Sequence, residues 1–308
     1  MMLRRPTGSR LAAGAAATVV AVTAVLVLPA PAHAAERKRA ESAYDSESSK
    51  TATATCDPGE VVIGAGGRVK DGDGRVRLAA IIPTLTSVEV RADELSEGHD
   101  GSWSVVAFAV CESQASVSPT VEASQPGSST ATCDNGTVPS GTGFELPAGS
   151  VLTGLVPDAE GTGVTVRTPF QLIGGDGPVA YAICMEGERS SWGGIGPRYT
   201  RFEEPSPVDG SSPKTVTVSD WFDSAGMSGV GAEVTGPGPI SRLGSGVFID
   251  TMMPSDDLLT VKVQAVHRPS DDDVSTVPTR GRLVGTSVAG DEDDDWSVTG
   301  YGLDHQYY

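Results

Sequence analysis

Short runs of alternating apolar and polar residues set the pattern of this chain. Val76, Leu78, Ala80 and Ile82 fall on one side of a period-two strand, and Val105, Ala107, Ala109 and Cys111 on one side of another. Gly, Pro and Asp break such runs after a few residues, which reads as half-buried β-strands. Lys70-Asp71-Gly72-Asp73-Gly74 reads as a hairpin turn between two of them. Beyond the N-terminal segment no stretch carries convincing helical spacing. The expectation is an all-β protein, large enough to bury a real core.

The same markers occur three times, and internal similarity decides the fold before any other argument. Cys56 and Cys133 each stand eight residues before a Gly-x-Gly, Gly64/Gly66 and Gly141/Gly143; Trp221 stands eight before Gly229/Gly231. After each Gly-x-Gly come a charged and an aliphatic residue: Arg68-Val69, Glu145-Leu146, Glu233-Val234. A proline then closes an apolar run at Pro83, Pro157 and Pro254. An alternating strand follows, with Val88/Val90, Val164/Val166 and Val261/Val263 on one face. An aromatic ends each copy: Phe108 before Cys111, Tyr181 before Cys184, Tyr301 before Asp304. Trp103-Ser104-Val105 also matches Trp296-Ser297-Val298.

These markers divide the chain into repeat one (51–112), repeat two (130–186) and repeat three (215–308), of four or five strands each. Polar residues 35–50 read as a disordered lead-in. Residues 113–129 and 187–214 read as linkers, although Trp192, Tyr199 and Phe202 suggest that part of the second packs on something. Pro83 to Cys111 spans 28 residues and Pro254 to Asp304 spans 50, which places an insertion near 266–287 of repeat three.

Residues 1–34 read as a cleaved signal peptide. Arg4, Arg5 and Arg10 precede an uncharged apolar stretch from Leu11 to Leu28, and Ala32-His33-Ala34 is a small-x-small cleavage site. Removing those three arginines takes the formal net charge from −18 to −21. That sign argues against nucleic acid and anionic membranes as partners, because phosphate binding needs clustered Lys and Arg. Four cysteines in an exported chain imply two disulfides. The third copy lacks both cysteines together, as paired residues would, so the pairs expected are Cys56–Cys111 and Cys133–Cys184.

No residue set nominates a reaction. Gly64-Ala65-Gly66-Gly67 has no helix after it, as a dinucleotide loop would require, and its recurrence makes it structural. His99, His267 and His305 have no metal spacing, and no Gly-x-Ser-x-Gly elbow occurs. Asp71-Gly72-Asp73-Gly74-Arg75 starts like an EF-hand loop but lacks the later acids. Acids cluster at Asp271-Asp272-Asp273 and at Asp291-Glu292-Asp293-Asp294-Asp295; a solvated acidic loop is the plain reading. Asp291, Asp293 and Asp295 are the candidate Ca²⁺ ligands, and no other cofactor is expected.

Cys56, Gly59, Gly64, Gly66, Pro83, Trp103 and Cys111 give a layout that resembles repeats in uncharacterised secreted proteins of actinobacteria. At the level of fold, three copies of a short β unit resemble the β-prism of the vitelline membrane outer layer protein. The architecture expected is three pseudo-equivalent sheets, β-prism-like or abutting as small sandwiches. The function expected is an exported non-catalytic protein that binds an extracellular ligand or builds structure at the cell exterior. The alternatives are a secreted carboxylate-dependent hydrolase acting on glycans, and a calcium-dependent adhesion module.

Overall fold

A computed structural model describes residues 35–125, 128–169, 177–187, 198–207, 212–219, 227–235, 247–267 and 297–306. Among them every regular element is a β-strand. Repeat one and its lead-in hold β1 (Glu36–Glu41), β2 (Ser49–Thr55), β3 (Glu60–Lys70), β4 (Val76–Pro83), β5 (Ser87–Glu94) and β6 (Ser104–Ser113). Repeat two and the segment before it hold β7 (Thr120–Ala123), β8 (Thr130–Thr132), β9 (Thr137–Glu145), β10 (Gly154–Pro157), β11 (Gly163–Arg167) and β12 (Val179–Glu186). Repeat three and its leading segment hold β13 (Arg198–Pro205), β14 (Lys214–Ser219), β15 (Met227–Thr235), β16 (Val247–Pro254), β17 (Thr260–His267) and β18 (Ser297–Gln306).

The strands form three six-stranded antiparallel sheets, and each sheet is shared by two repeats. The first runs β1-β6-β3-β16-β17-β14, the second β2-β5-β4-β9-β12-β7, and the third β13-β18-β15-β10-β11-β8. Every repeat gives its first, sixth and third strands to one sheet, and its fourth, fifth and second to another. This is the β-prism-like alternative; self-contained abutting sandwiches are ruled out because no repeat closes its own sheet. One hydrophobic cluster draws on all three sheets, including Leu78, Val105, Phe144, Leu155, Val230 and Ile249.

The glycine markers explain how three sheets meet. A Cβ on Gly64 would overlap the Ser228 carbonyl, one on Gly229 the Ser140 carbonyl, and one on Gly141 would sit 3.0 Å from the Ile63 carbonyl oxygen. The three middle strands β3, β9 and β15 therefore touch backbone to backbone in a closed ring. The second glycines sit in equivalent places too. A Cβ on Gly66, Gly143 or Gly231 would lie 2.7, 2.5 or 2.6 Å from the carbonyl oxygens of Met252, Ile81 and Leu155, beside Pro254, Pro83 and Pro157. Glycine and proline are thus the two halves of one joint between neighbouring repeats.

Three expectations are corrected. The lead-in and both linkers contain strands β1, β7 and β13, so each repeat has six strands. These are edge strands with little apolar patterning: of their residues, Ala40 and Val121 reach the main core as partly buried side chains. Lys70 to Gly74 is not a hairpin turn, because β3 and β4 belong to different sheets; the turn carries the chain across the corner, with Asp71 and Asp73 at positive φ. Ile82 does not share a face with Leu78. A bulge between Leu78 and Ala80 shifts the register and turns Ile81 into the core instead. The insertion near 266–287, beyond the end of β17 at His267, lies outside the described residues, as do Trp192, Trp221 and Trp296.

Candidate functional site

Cys56–Cys111 and Cys133–Cys184 are both disulfide-bonded, with Cα separations of 5.7 and 5.6 Å. Each bridges two sheets within one repeat, from just after β2 to β6 and from just after β8 to β12. Gly59 and Gly136, three residues after the first cysteine of each pair, hold positive φ in matching turns. Among the described residues, one grouping of three residues of metal-ligating type occurs, Glu60 with Cys56 and Cys111; bridged sulfurs are not thiolates and leave it without a metal's chemistry. His99 is half-buried rather than fully exposed. Asp271 to Asp273, Asp291, Asp293 and Asp295 lie outside the described residues.

The sheets differ most at the seams where two repeats join. Each seam consists of two paired positions: Ala80↔Glu145 and Ile81↔Phe144, Gly154↔Glu233 and Leu155↔Ala232, Thr251↔Arg68 and Met252↔Gly67. In the second sheet Arg91 Nη2 donates to Glu145 Oε1 at 2.6 Å, and the Tyr181 hydroxyl donates to Oε2 of the same carboxylate at 3.4 Å. In the third sheet Arg167 pairs with Glu233, and the Tyr301 hydroxyl reaches Glu233 Oε2 at 3.2 Å. An arginine, a glutamate and a tyrosine close both seams.

The first sheet abandons that set. Its equivalents of the two glutamates, the two arginines and the two tyrosines are Arg68, Gln264 and Phe108. Arg68 is half-buried, and among the described residues its guanidinium makes no hydrogen bond or ion pair, although its charge acts on Asp250. The position held by Ala79 and Thr153 in the other seams carries Asp250. This carboxylate is 8 % exposed; its Oδ2 accepts from Gln264 Nε2 at 3.3 Å, and its Oδ1 is enclosed without a partner. Burial pushes Asp250 up to about 7, against the opposing pull of Thr251, Gln264 and the Arg68 charge.

Two depressions on the outer face of this sheet meet at Arg68. One, of about 460 Å³, is lined by Arg37, Arg39, Arg68 and Lys70, with Asp256 as the one lining carboxylate. Arg37 and Arg39 lie on β1, and Arg68 and Lys70 on β3, flanking β6 in two rows about 10 Å apart by ordinary strand spacing. Arg37 caps the Pro254 carbonyl at 2.6 Å and lies over Phe108, as Arg201 caps Pro157 and lies over Tyr301. Burial, then the charge of Arg39, lower the Arg37 guanidinium from its usual range. Lys70 pairs with Glu41 at 2.7 Å. The other depression, of about 360 Å³, is lined by Arg68, Asp250, Gln264, Ser212 and the turn from Asp71 to Gly74. Tyr44 is 57 % exposed, and Asp71 raises its hydroxyl from the usual range.

The first seam thus holds a guanidinium without an ion pair near an enclosed carboxylate oxygen without a donor, a combination absent from its two siblings. The sequence does carry one trace of this site. The charged residue after Gly-x-Gly is positive in repeat one and negative in the other two. The same spacing aligns Asp250 with Ala79 and Thr153, each four residues before the marker proline, and Gln264 with Arg91 and Arg167, each directly after the second valine of its strand; the fold is what makes these positions one seam. No profile of a known family matches the chain and no curated protein matches it, so the site's chemistry stands on its own geometry.

Proposed function

We propose that the chain is an exported, non-catalytic protein that binds at the cell exterior, with the outer face of the first sheet as its binding surface. The N-terminal 34 residues have the make-up of a cleaved signal, and two disulfides suit an oxidising compartment. One observation carries the choice of face. Two seams are closed by an internal ion pair, whereas the third has Arg68 and Gln264 at those positions, beside the enclosed Asp250. Groups that serve the fold alone have no reason to differ between equivalent seams.

The test is to make the first seam like its siblings. Arg68→Glu, Gln264→Arg and Asp250→Ala together restore the pattern of the second sheet, so the variant folds. Its binding to insoluble cell-wall material and to capsular polysaccharide is expected to fall at least about tenfold, the worth of one charged hydrogen bond. Undiminished binding by this variant places the surface elsewhere.

Asp250 also supports a second reading, a hydrolase, since a general acid needs a raised pKa. Glycoside cleavage needs a second carboxyl at a set distance. The hydrogen-bond partner of Asp250 is Gln264 rather than a carboxyl group. Release of reducing ends from an acidic polysaccharide, abolished by Asp250→Asn, would move the assignment to this class.

A further inference from the structure

The geometry points to an acidic sugar residue as the ligand of the cleft beside Arg68, its carboxylate paired with Arg68 and its hydroxyls donating to Asp250, Asp71 and Asp73. This deepens the reading of the first sheet as the binding face and rests on it. Three observations select the chemistry.

The two sibling seams show what this position accepts. There a guanidinium and a carboxylate meet at each joint, Arg91 with Glu145 and Arg167 with Glu233. In the first seam Arg68 stands at the glutamate position and Gln264 at the arginine position, so the joint itself offers the guanidinium no paired carboxylate, and only the charge of Asp250 lies near it. A carboxylate from outside completes the pair in the planar two-pronged geometry that arginine favours.

The rest of the cleft limits how much negative charge the ligand carries. Asp71, Asp73 and Asp250 line it with Arg68 as the one cation. A polyphosphate or phosphodiester chain would set repeated charges against three carboxylates. A ligand with one negative charge and several hydroxyl donors meets the guanidinium once and the acceptors many times. Asp71 and Asp73 are the exposed acceptors of the cleft, and Asp250 lines it beside Gln264.

Tyr44 supplies the third observation. It is the one large aromatic exposed among the described residues, and Asp71, which lines the cleft, raises its hydroxyl from the usual range. An exposed ring beside the cleft offers an apolar face to the C–H face of a pyranose. A cleft of about 360 Å³ is of the size that holds one such ring with its substituents.

Titration calorimetry on protein purified after export tests the assignment, using a tetramer of galacturonate, its carboxyl-reduced neutral counterpart, and poly(glycerol phosphate). The galacturonate tetramer is expected to bind, and its neutral counterpart to bind at least about tenfold more weakly. Arg68→Gln is expected to lose binding by a similar factor, Arg68→Lys to retain part of it, and Tyr44→Ala to weaken it several-fold. Arg91→Gln, on the second sheet, is the control and is expected to bind as the parent does. Equal binding of the neutral tetramer, or no effect of Arg68→Gln in a folded variant, would falsify the assignment. Tighter binding of poly(glycerol phosphate) than of the uronate overturns the sugar while keeping the face. If cell-wall binding depends on the first seam and no uronate binds, the sugar assignment alone falls. If cell-wall binding ignores that seam, the broader reading falls with it.

Discussion

A carboxylate shut away from water holds its proton late. Asp250 loses its proton near pH 7 in the folded protein, against 3.8 for the free side chain, mainly through burial. Between about pH 4 and pH 7 the folded protein therefore keeps a proton that the unfolded chain has released. Stability falls as pH rises through that window and levels off above it, by up to about 4 kcal/mol in total. Asp250→Asn removes the charge without removing the shape. The variant is expected to gain little at pH 4 and clearly at pH 8, so its melting midpoint should exceed the parent's chiefly in alkali. Equal shifts at both pH values would mean that Asp250 is solvated in solution. An enclosed acid with this penalty stands where the other seams carry Ala79 and Thr153, which need no such protonation.

At the scale of elements, the joint between repeats is a glycine on one strand and a proline on the next. A methyl group on Gly143 would lie 2.5 Å from the Ile81 carbonyl oxygen and 2.6 Å from Pro83 Cδ. Neither neighbour is the free end of a flexible chain, so backbone must move. Gly143→Ala is expected to destabilise by at least about 2 kcal/mol in denaturant unfolding. Gly177→Ala, with open space around it, is expected to change little. A small effect at Gly143 would mean that the ring of middle strands is looser than drawn. Alternation identified the central strands, because their inward residues meet one shared core. It failed at β1, β7 and β13, whose place is set by the backbone edges of β6, β12 and β18. It also failed at Ile82, where one extra residue reversed the faces.

At the scale of the whole molecule, sharing makes the repeats interdependent. Each sheet is closed by a partner repeat, so a repeat expressed alone leaves β3 or β4, or their counterparts, with a bare edge. Residues 130–186 alone are therefore expected to lack cooperative unfolding, while the whole chain melts as one unit; a sharp isolated transition would contradict this. The disulfides act within repeats and across sheets. Opening the Cys133–Cys184 bridge by Cys→Ser at both positions is expected to cost roughly 3–4 kcal/mol in the chain-entropy picture, read by denaturant midpoint.

What the chain's order of residues determined by itself is local and periodic. Period-two runs, recurring Gly-x-Gly and proline markers, and the joint loss of two cysteines were enough to specify strands, three equivalent sheets and the disulfide pairs. Those signals survive in one dimension because each rests on spacing within one segment. Which repeat closes which sheet, and that Arg68 of the first repeat faces Asp250 and Gln264 of the third, belongs to three dimensions alone. The seam brings together residues separated by most of the chain, and Asp250 joins the cleft from the bulge between Ile249 and Thr251 in β16. Only packing sets those distances, so only the folded molecule shows that one of three matching joints was left open.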